Sequence, residues 1–184
     1  MNYMSVNITY FVHGTTTDNE EGLATGWNPG ELSELGQDQS KQLTSLVSDK
    51  KFDIVFCSDL KRAIDSAQFA FGDIYKIVED ERLRECNYGD WNGAPGKNFK
   101  HNMNEFVDTV YPNGESYRDV ENRINSFVEF LKNNFDGKHI AIVAHQAPQL
   151  ALDVLLRHKT WEEAIDEDWR KTKSWQPGWE YIIE

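Results

Sequence analysis

Apolar runs at the spacing of strands alternate along this chain with apolar positions at the spacing of helices. Val6 to Val12 is rich in β-branched and aromatic residues and reads as a largely buried strand. Asp53-Ile54-Val55-Phe56-Cys57 is a second short apolar run. After Ser58-Asp59, the residues Leu60, Ala63, Ile64, Ala67 and Phe71 recur at helical spacing, so this part is strand, turn, helix. Tyr75 to Val78 is a third strand. His139 to Ala144 is apolar throughout after its first residue, as a strand covered on both faces would be. It runs into a helix from Gln146 to His158 that turns Leu150, Ala151, Val154 and Leu155 inward and tolerates Pro148 only because it lies in the first turn. Ser33 is an N-cap for a helix to about Ser48, supported by Leu35, Leu43, Leu46 and Val47 on one side. The clearest amphipathic helix starts after Ser116, carries Tyr117, Val120, Ile124, Phe127, Val128, Leu131 and Phe135, and ends near Gly137. Gly14 to Gly30 is a polar loop anchored by Trp27, and Ala94 to Pro112 is an irregular insertion. The tail from Trp161 is acidic and tryptophan-rich and ends in an edge strand over Trp179 to Ile183.

Strands alternating with helices predict a three-layer α/β/α sandwich with a mostly parallel central sheet, in which ligands sit beyond the carboxyl ends of the strands. Val6–Val12, Asp53–Cys57 and His139–Ala144 should then lie side by side. His13, Arg62 and His145 each fall just after such an end. With 184 residues and 39% hydrophobic content the length favours one domain over 1–184. The net charge of −12 repels nucleic acid and anionic membrane surface, so an anionic ligand needs a local concentration of positive charge. Cys57 and Cys86 have no metal-ligand spacing and form no disulfide framework. With no targeting segment and no apolar stretch of membrane-spanning length, a reduced cytoplasm is the expected compartment, and no cofactor is implied.

Two imidazoles and a guanidinium at one sheet edge suit a phosphoryl group. One neutral His attacks phosphorus, the Arg holds two oxygens in a fork, and the second His, if protonated, donates a hydrogen bond and charge. Gly14, directly after His13, opens room for a ligand beside the backbone.

Five separated segments, in order, resemble the histidine phosphatase superfamily, the phosphoglycerate-mutase-like proteins. Val12-His13-Gly14-Thr15-Thr16-Thr17-Asp18-Asn19 resembles its Arg-His-Gly-Glu/Gln-Thr-x-x-Asn opening, with Val12 at the Arg position and Thr15 at the Glu/Gln position. Gly26-Trp27-Asn28 with Leu32 to Gly36 resembles the second landmark. Cys57-Ser58-Asp59-Leu60-Lys61-Arg62-Ala63 resembles the segment whose Arg grips phosphate, and Leu83 to Gly93 the one whose Glu is the proton donor. Asn113-Gly114-Glu115-Ser116 resembles a further landmark, and Ala144-His145-Gln146-Ala147 keeps the His of the last one while losing its glycines.

The resemblance implies a phosphoglycerate-mutase-like fold with a short lid insertion at about 86–112. It implies His13, Glu85, His145 and Arg62 as catalytic residues, and Arg62, Gly14, Thr16, Asn19, Thr25 and Gln146 as substrate-binding ones. The substrate it implies is a small-molecule phosphate ester, cleaved by a phosphomonoesterase through a phosphohistidine. A phosphoglycerate mutase is the second reading, less favoured because the mutases usually carry a longer lid. A non-catalytic phosphate-binding or regulatory protein is the third, because Val12 removes a guanidinium whose loss typically costs roughly 3–4 kcal/mol, or about 10²–10³ in rate. Arg84 is the basic residue placed to compensate.

Overall fold

The computed structural model describes residues 5–172 and 178–184; the part of the tail reading that covers 173–177 lies outside the described residues. The elements are β1 (Val6–Val12), α1 (Thr17–Glu21), α2 (Glu34–Leu46), β2 (Ile54–Cys57), α3 (Lys61–Phe71), β3 (Ile77–Glu79), α4 (Tyr117–Asn134), β4 (His139–Ala144), α5 (Gln146–Arg157), α6 (Trp161–Asp166) and β5 (Trp179–Ile183). The sheet order is β3-β2-β4-β1-β5, with every pair parallel except β1 and β5. The ends of β2, β4 and β1 therefore stand side by side, as the strand-helix alternation requires.

Alternate residues of the strands divide between two cores, because side chains on a strand point to opposite faces. Ile8 and Tyr10 of β1 and Ile140 and Ile142 of β4 join the core that α4 and α5 cover. Phe11, Val55, Ala141 and Val143 join the core that α2 and α3 cover. The result is a three-layer α/β/α sandwich with a mostly parallel sheet.

Several boundaries differ from the sequence expectation. β3 begins at Ile77 and includes Glu79. In α2, Leu43 and Val47 are buried, but Leu35 and Leu46 are 53% and 52% exposed, so the apolar stripe is narrower than four leucine and valine positions suggest. The polar loop after Gly14 contains α1, and the acidic tail contains α6. Both are short and form because side chains satisfy their first N–H groups: Thr16 with Asn19 in α1, Thr160 with Glu163 in α6. The insertion is built of 3₁₀ turns at Gly89–Trp91, Gly96–Asn98 and Lys100–Phe106. Its Phe99, Met103 and Tyr111 are buried in the α4–α5 core, and Phe106 stacks on Tyr111 at 4.0 Å. It stands as a packed wall at the sheet's carboxyl edge. No helix among the described residues is long and apolar enough to cross a membrane.

Candidate active site

His13 continues the β1–β4 pairing by one bond, its N–H donating to Ala144 O at 3.0 Å. Its Nδ1 lies 2.7 Å from Gly14 O. A carbonyl oxygen can only accept, so this contact assigns the ring proton to Nδ1 and leaves a lone pair on Nε2. Nε2 in turn accepts from Arg62 Nε at 3.3 Å. Burial first, and the Arg62 charge second, push the His13 pKa down to about 3 against the opposing Gly14 bond, so the imidazole is neutral at pH 7.

Gly14 serves a different purpose from the one expected. A Cβ there would meet Gly36 O at 2.3 Å, and a Cβ on Gly36 would meet Thr15 O at 1.9 Å. The two glycines let the loop after β1 cross the start of α2 at backbone contact, so the space beside Gly14 belongs to Gly36 and not to a ligand.

Arg62, in the first turn of α3, is 2% exposed. Its Nη2 donates to Gly26 O at 2.7 Å and its Nη1 to Asn28 O at 2.8 Å and Pro29 O at 3.4 Å. The loop turns around the guanidinium through Gly26 and Gly30, at φ of 56° and 63°, a backbone region that glycine enters at little cost. Both Nη atoms thus point into loop carbonyls and Nε points at His13. In place of the expected two-oxygen fork, Arg62 bonds His13 through Nε and pins the loop through both Nη atoms.

His145 is fully buried, its ring centroid 5.1 Å from that of His13, and neither ring nitrogen has a hydrogen-bond partner. Its backbone is held by the Tyr10 hydroxyl, which accepts from His145 N–H at 2.9 Å and donates to His145 O at 2.6 Å. Burial first, then the Arg62 charge, drive its pKa well below the ordinary value, so the second imidazole is neutral in this arrangement. An anion between the rings would favour the protonated form of either one.

Glu85 is 6% exposed. Its Oε1 accepts from Cys86 N–H at 2.8 Å and Ala147 N–H at 3.0 Å, and its Oε2 from Gln146 N–H at 3.2 Å. It occupies the N-terminus of α5, where unpaired N–H groups and the helix dipole favour a carboxylate. Oε2, with one long bond, is the less committed oxygen.

The remaining expected residues divide. Asn19 lines the cavity, whereas the Thr16 side chain is buried in the α1 cap, accepting from Asn19 N–H at 3.0 Å. Thr25 borders a recess of about 40 Å³ shared with His13, Arg62 and Glu85, and its buried hydroxyl has no partner there. The Gln146 amide is held from both ends, one N–H of Nε2 donating to Asp168 and Oε1 accepting from Lys100, which leaves its second N–H for a ligand. Arg84 is no substitute for position 12. It forms a two-pronged ion pair with Asp59, Nε to Oδ1 at 2.7 Å, lies 4.6 Å over the Trp27 ring, and lines none of the cavity. Cys57 and Cys86 are buried and their thiols pushed up, the former to about 12, so neither is a nucleophile.

The cavity in front of His13 measures about 280 Å³ and is lined by Val12, His13, Asn19, Glu85 and Gln146. It is also lined by Lys100, Arg170, Gln39 and Trp169, which no sequence motif singled out. Lys100 comes from the insertion and Arg170 from the tail. Their only signal was the need of an acidic chain to gather cations around an anion site. A larger groove of about 700 Å³ runs along β5 and carries none of the site's histidines, Arg62 or Glu85.

A pair of strand-end imidazoles, one half-buried and one buried, tied to an arginine and faced by a carboxylate, defines the class. The chain belongs to the histidine phosphatase superfamily (branch 1), whose family profile matches residues 10–177. It is 31% identical over 144 residues to an adenosylcobalamin/alpha-ribazole phosphatase of Salmonella typhimurium strain LT2, covering 73% of this chain and 71% of that one. It is 28% identical over 178 residues to a 2,3-bisphosphoglycerate-dependent phosphoglycerate mutase of Rhizobium meliloti strain 1021, covering 88% and 84%. The structure of the alpha-ribazole phosphatase from Shigella flexneri superposes with a TM-score of 0.76 at 26% identity, covering 86% of this chain and 83% of that one. Relatives of this kind support phosphatase or phosphoryl-transfer activity of the histidine phosphatase type.

Proposed function

We propose that the chain is a phosphomonoesterase that hydrolyses a small organic phosphate through a phosphohistidine at His13, acting in the cytoplasm as one domain over 1–184 with residues 86–112 as the wall of its site. The observation that carries this reading is the His13 tautomer: Nδ1–H is spent on Gly14 O, and Nε2 presents a lone pair beside Arg62. The cavity of about 280 Å³ lies at the lower end of small-ligand sites, which suits a small leaving group.

In the first step Nε2 of His13 attacks phosphorus, the ester P–O bond breaks, and the departing alkoxide takes the proton of the ester monoanion, handed on through Oε2 of the Glu85 carboxylate. In the second, water attacks the phosphohistidine, its proton passes to the Glu85 carboxylate, the P–N bond breaks and phosphate leaves. His145 sits where it can donate to the phosphoryl oxygens once their charge favours its protonation, and the Thr25 hydroxyl gains a partner in the same recess.

The test is a trapping experiment. Wild-type protein quenched during turnover of a ³²P-labelled aryl phosphate should carry label that is labile in acid and survives alkali, and His13→Ala should carry none. Equal label on His13→Ala sinks the assignment. Transfer of phosphate between positions of a phosphoglycerate, without net release, would instead identify a mutase.

A further inference from the structure

We propose that Lys100 and Arg170 bind the phosphate and supply the positive charge that Val12 lacks and that Arg62 spends elsewhere. The role in turnover rests on the phosphatase reading above; the anion binding does not.

A phosphate monoester brings close to two negative charges, and backbone N–H groups at a helix N-terminus are one way to meet them. Here that way is closed, because Glu85 already occupies the first N–H groups of α5. Arg62 is mostly spent as well: Nη1 bonds the carbonyls of Asn28 and Pro29, Nη2 that of Gly26 and Nε meets His13, which leaves one of its five N–H groups. Arg84 is held by Asp59. The cations that remain on the cavity wall are Lys100 and Arg170.

Their partners leave both with capacity to bind. Lys100 Nζ reaches Gln146 Oε1 at 3.0 Å and lies 5.2 Å over the Tyr88 ring, but forms no ion pair among the described residues. One of its three N–H groups is used by that bond. Arg170 pairs with Asp168 Oδ1 through Nη1 at 2.8 Å, while its buried Nη2 has no hydrogen-bond partner among the described residues. An unpaired guanidinium N–H out of reach of water is costly to leave unmade, and an incoming anion would satisfy it. Both line the same cavity as His13.

The two are also held in place. Asp168 fixes Arg170 and accepts from Gln146, which in turn accepts from Lys100, so one chain of bonds positions both cations. Lys100 arrives from the insertion and Arg170 from the tail, and Lys100 also borders the recess that holds Thr25, Gly26 and Arg62.

The experiment measures binding of inorganic phosphate by isothermal titration calorimetry, and aryl phosphate turnover, for wild type, Lys100→Gln, Arg170→Gln, Lys100→Arg and Arg84→Gln. The expected result is a phosphate Kd weakened about 10- to 100-fold in each Gln variant at positions 100 and 170, the range for losing one charge-assisted bond. Lys100→Arg should recover most of the affinity, and Arg84→Gln should leave it within about twofold. If Lys100→Gln does not fold, ¹⁵N-lysine spectra of wild type give the same answer: the Lys100 ammonium signal moves when phosphate is added. A Lys100→Gln, Arg170→Gln double variant that melts like wild type and keeps its phosphate Kd overturns the proposal, as does a wild type that binds no phosphate or a Lys100 signal that stays put. Phosphate bound through these residues by a protein that releases none from aryl phosphate would uphold the inference while removing the phosphatase reading.

Discussion

Replacing Arg62 with Ala tests whether this guanidinium holds its own loop or is reserved for ligand. In the structure its two shortest bonds, at 2.7 and 2.8 Å, go to carbonyls of Gly26 and Asn28, and Arg62 is 2% exposed. A hydrogen bond from a charged group contributes roughly 1.5–3 kcal/mol, so two give about 3–6 kcal/mol. Burial itself disfavours the charged group, as the lowered Arg62 pKa records, and relief of that desolvation moves the outcome toward the lower figure. Against a total of about 5–15 kcal/mol for a domain, a loss of about 3 kcal/mol is large but survivable. With a urea slope of about 1–3 kcal/mol/M, the unfolding midpoint should fall by about 1–3 M with the slope unchanged. The assay is urea unfolding followed by tryptophan fluorescence, in the presence and absence of phosphate. A midpoint within about 0.3 M of wild type, combined with a collapse of phosphate affinity, would refute the reasoning, since it would show the guanidinium spent on ligand and not on the loop.

Stability should depend on pH through His13. Its folded pKa of about 3 lies below the ordinary 6.5, so between these values the unfolded chain binds the extra proton and stability rises with pH, reaching its full value above about 6.5. On going from pH 6.5 to 4.5 the loss from His13 should be roughly 2–3 kcal/mol, His145 adding to it in the same direction, and His13→Asn should flatten the profile. An identical profile in the variant would show that His13 is not the group responsible. Val12 lines the cavity, so an Arg there can reach the anion site. Because Lys100 and Arg170 already serve it, Val12→Arg should improve phosphate affinity less than about threefold in wild type yet restore it in the Lys100→Gln background. Equal gains in both backgrounds would mean that the site is short of charge as it stands.

The strands were legible because buried strands and amphipathic helices write their periods into the chain: His139–Ala144 and the stripe from Tyr117 to Leu131 needed only counting. The paired imidazoles were legible because strand ends converge in such a sheet. What Arg62, Gly14 and Gln146 do was not legible, since each depends on which atom a neighbour from another segment presents: the Gly26 carbonyl, the Gly36 backbone, the Asp168 carboxylate. Lys100 and Arg170 were hidden for a related reason. An isolated cation in a polar turn has no periodicity, and only the tertiary fold reveals that it faces inward. Leu35 and Leu46 show the opposite limit, apolar residues at helical spacing that remain exposed because no neighbouring layer covers them.

The sheet order has a consequence for how the protein is made. β1 emerges first from the ribosome, yet its only neighbours are β4 and β5, which begin at His139 and Trp179. Until then Ile8, Tyr10 and Phe11, fully or almost fully buried in the finished molecule, have no strand to pair with. β2 and β3 can form their ladder much earlier, so the nascent chain closes its sheet from the far edge and inserts β1, with His13 just after it, near the end. Contacts so distant in sequence fold slowly and expose apolar surface meanwhile, which makes the first dozen residues the segment with most need of a chaperone during synthesis.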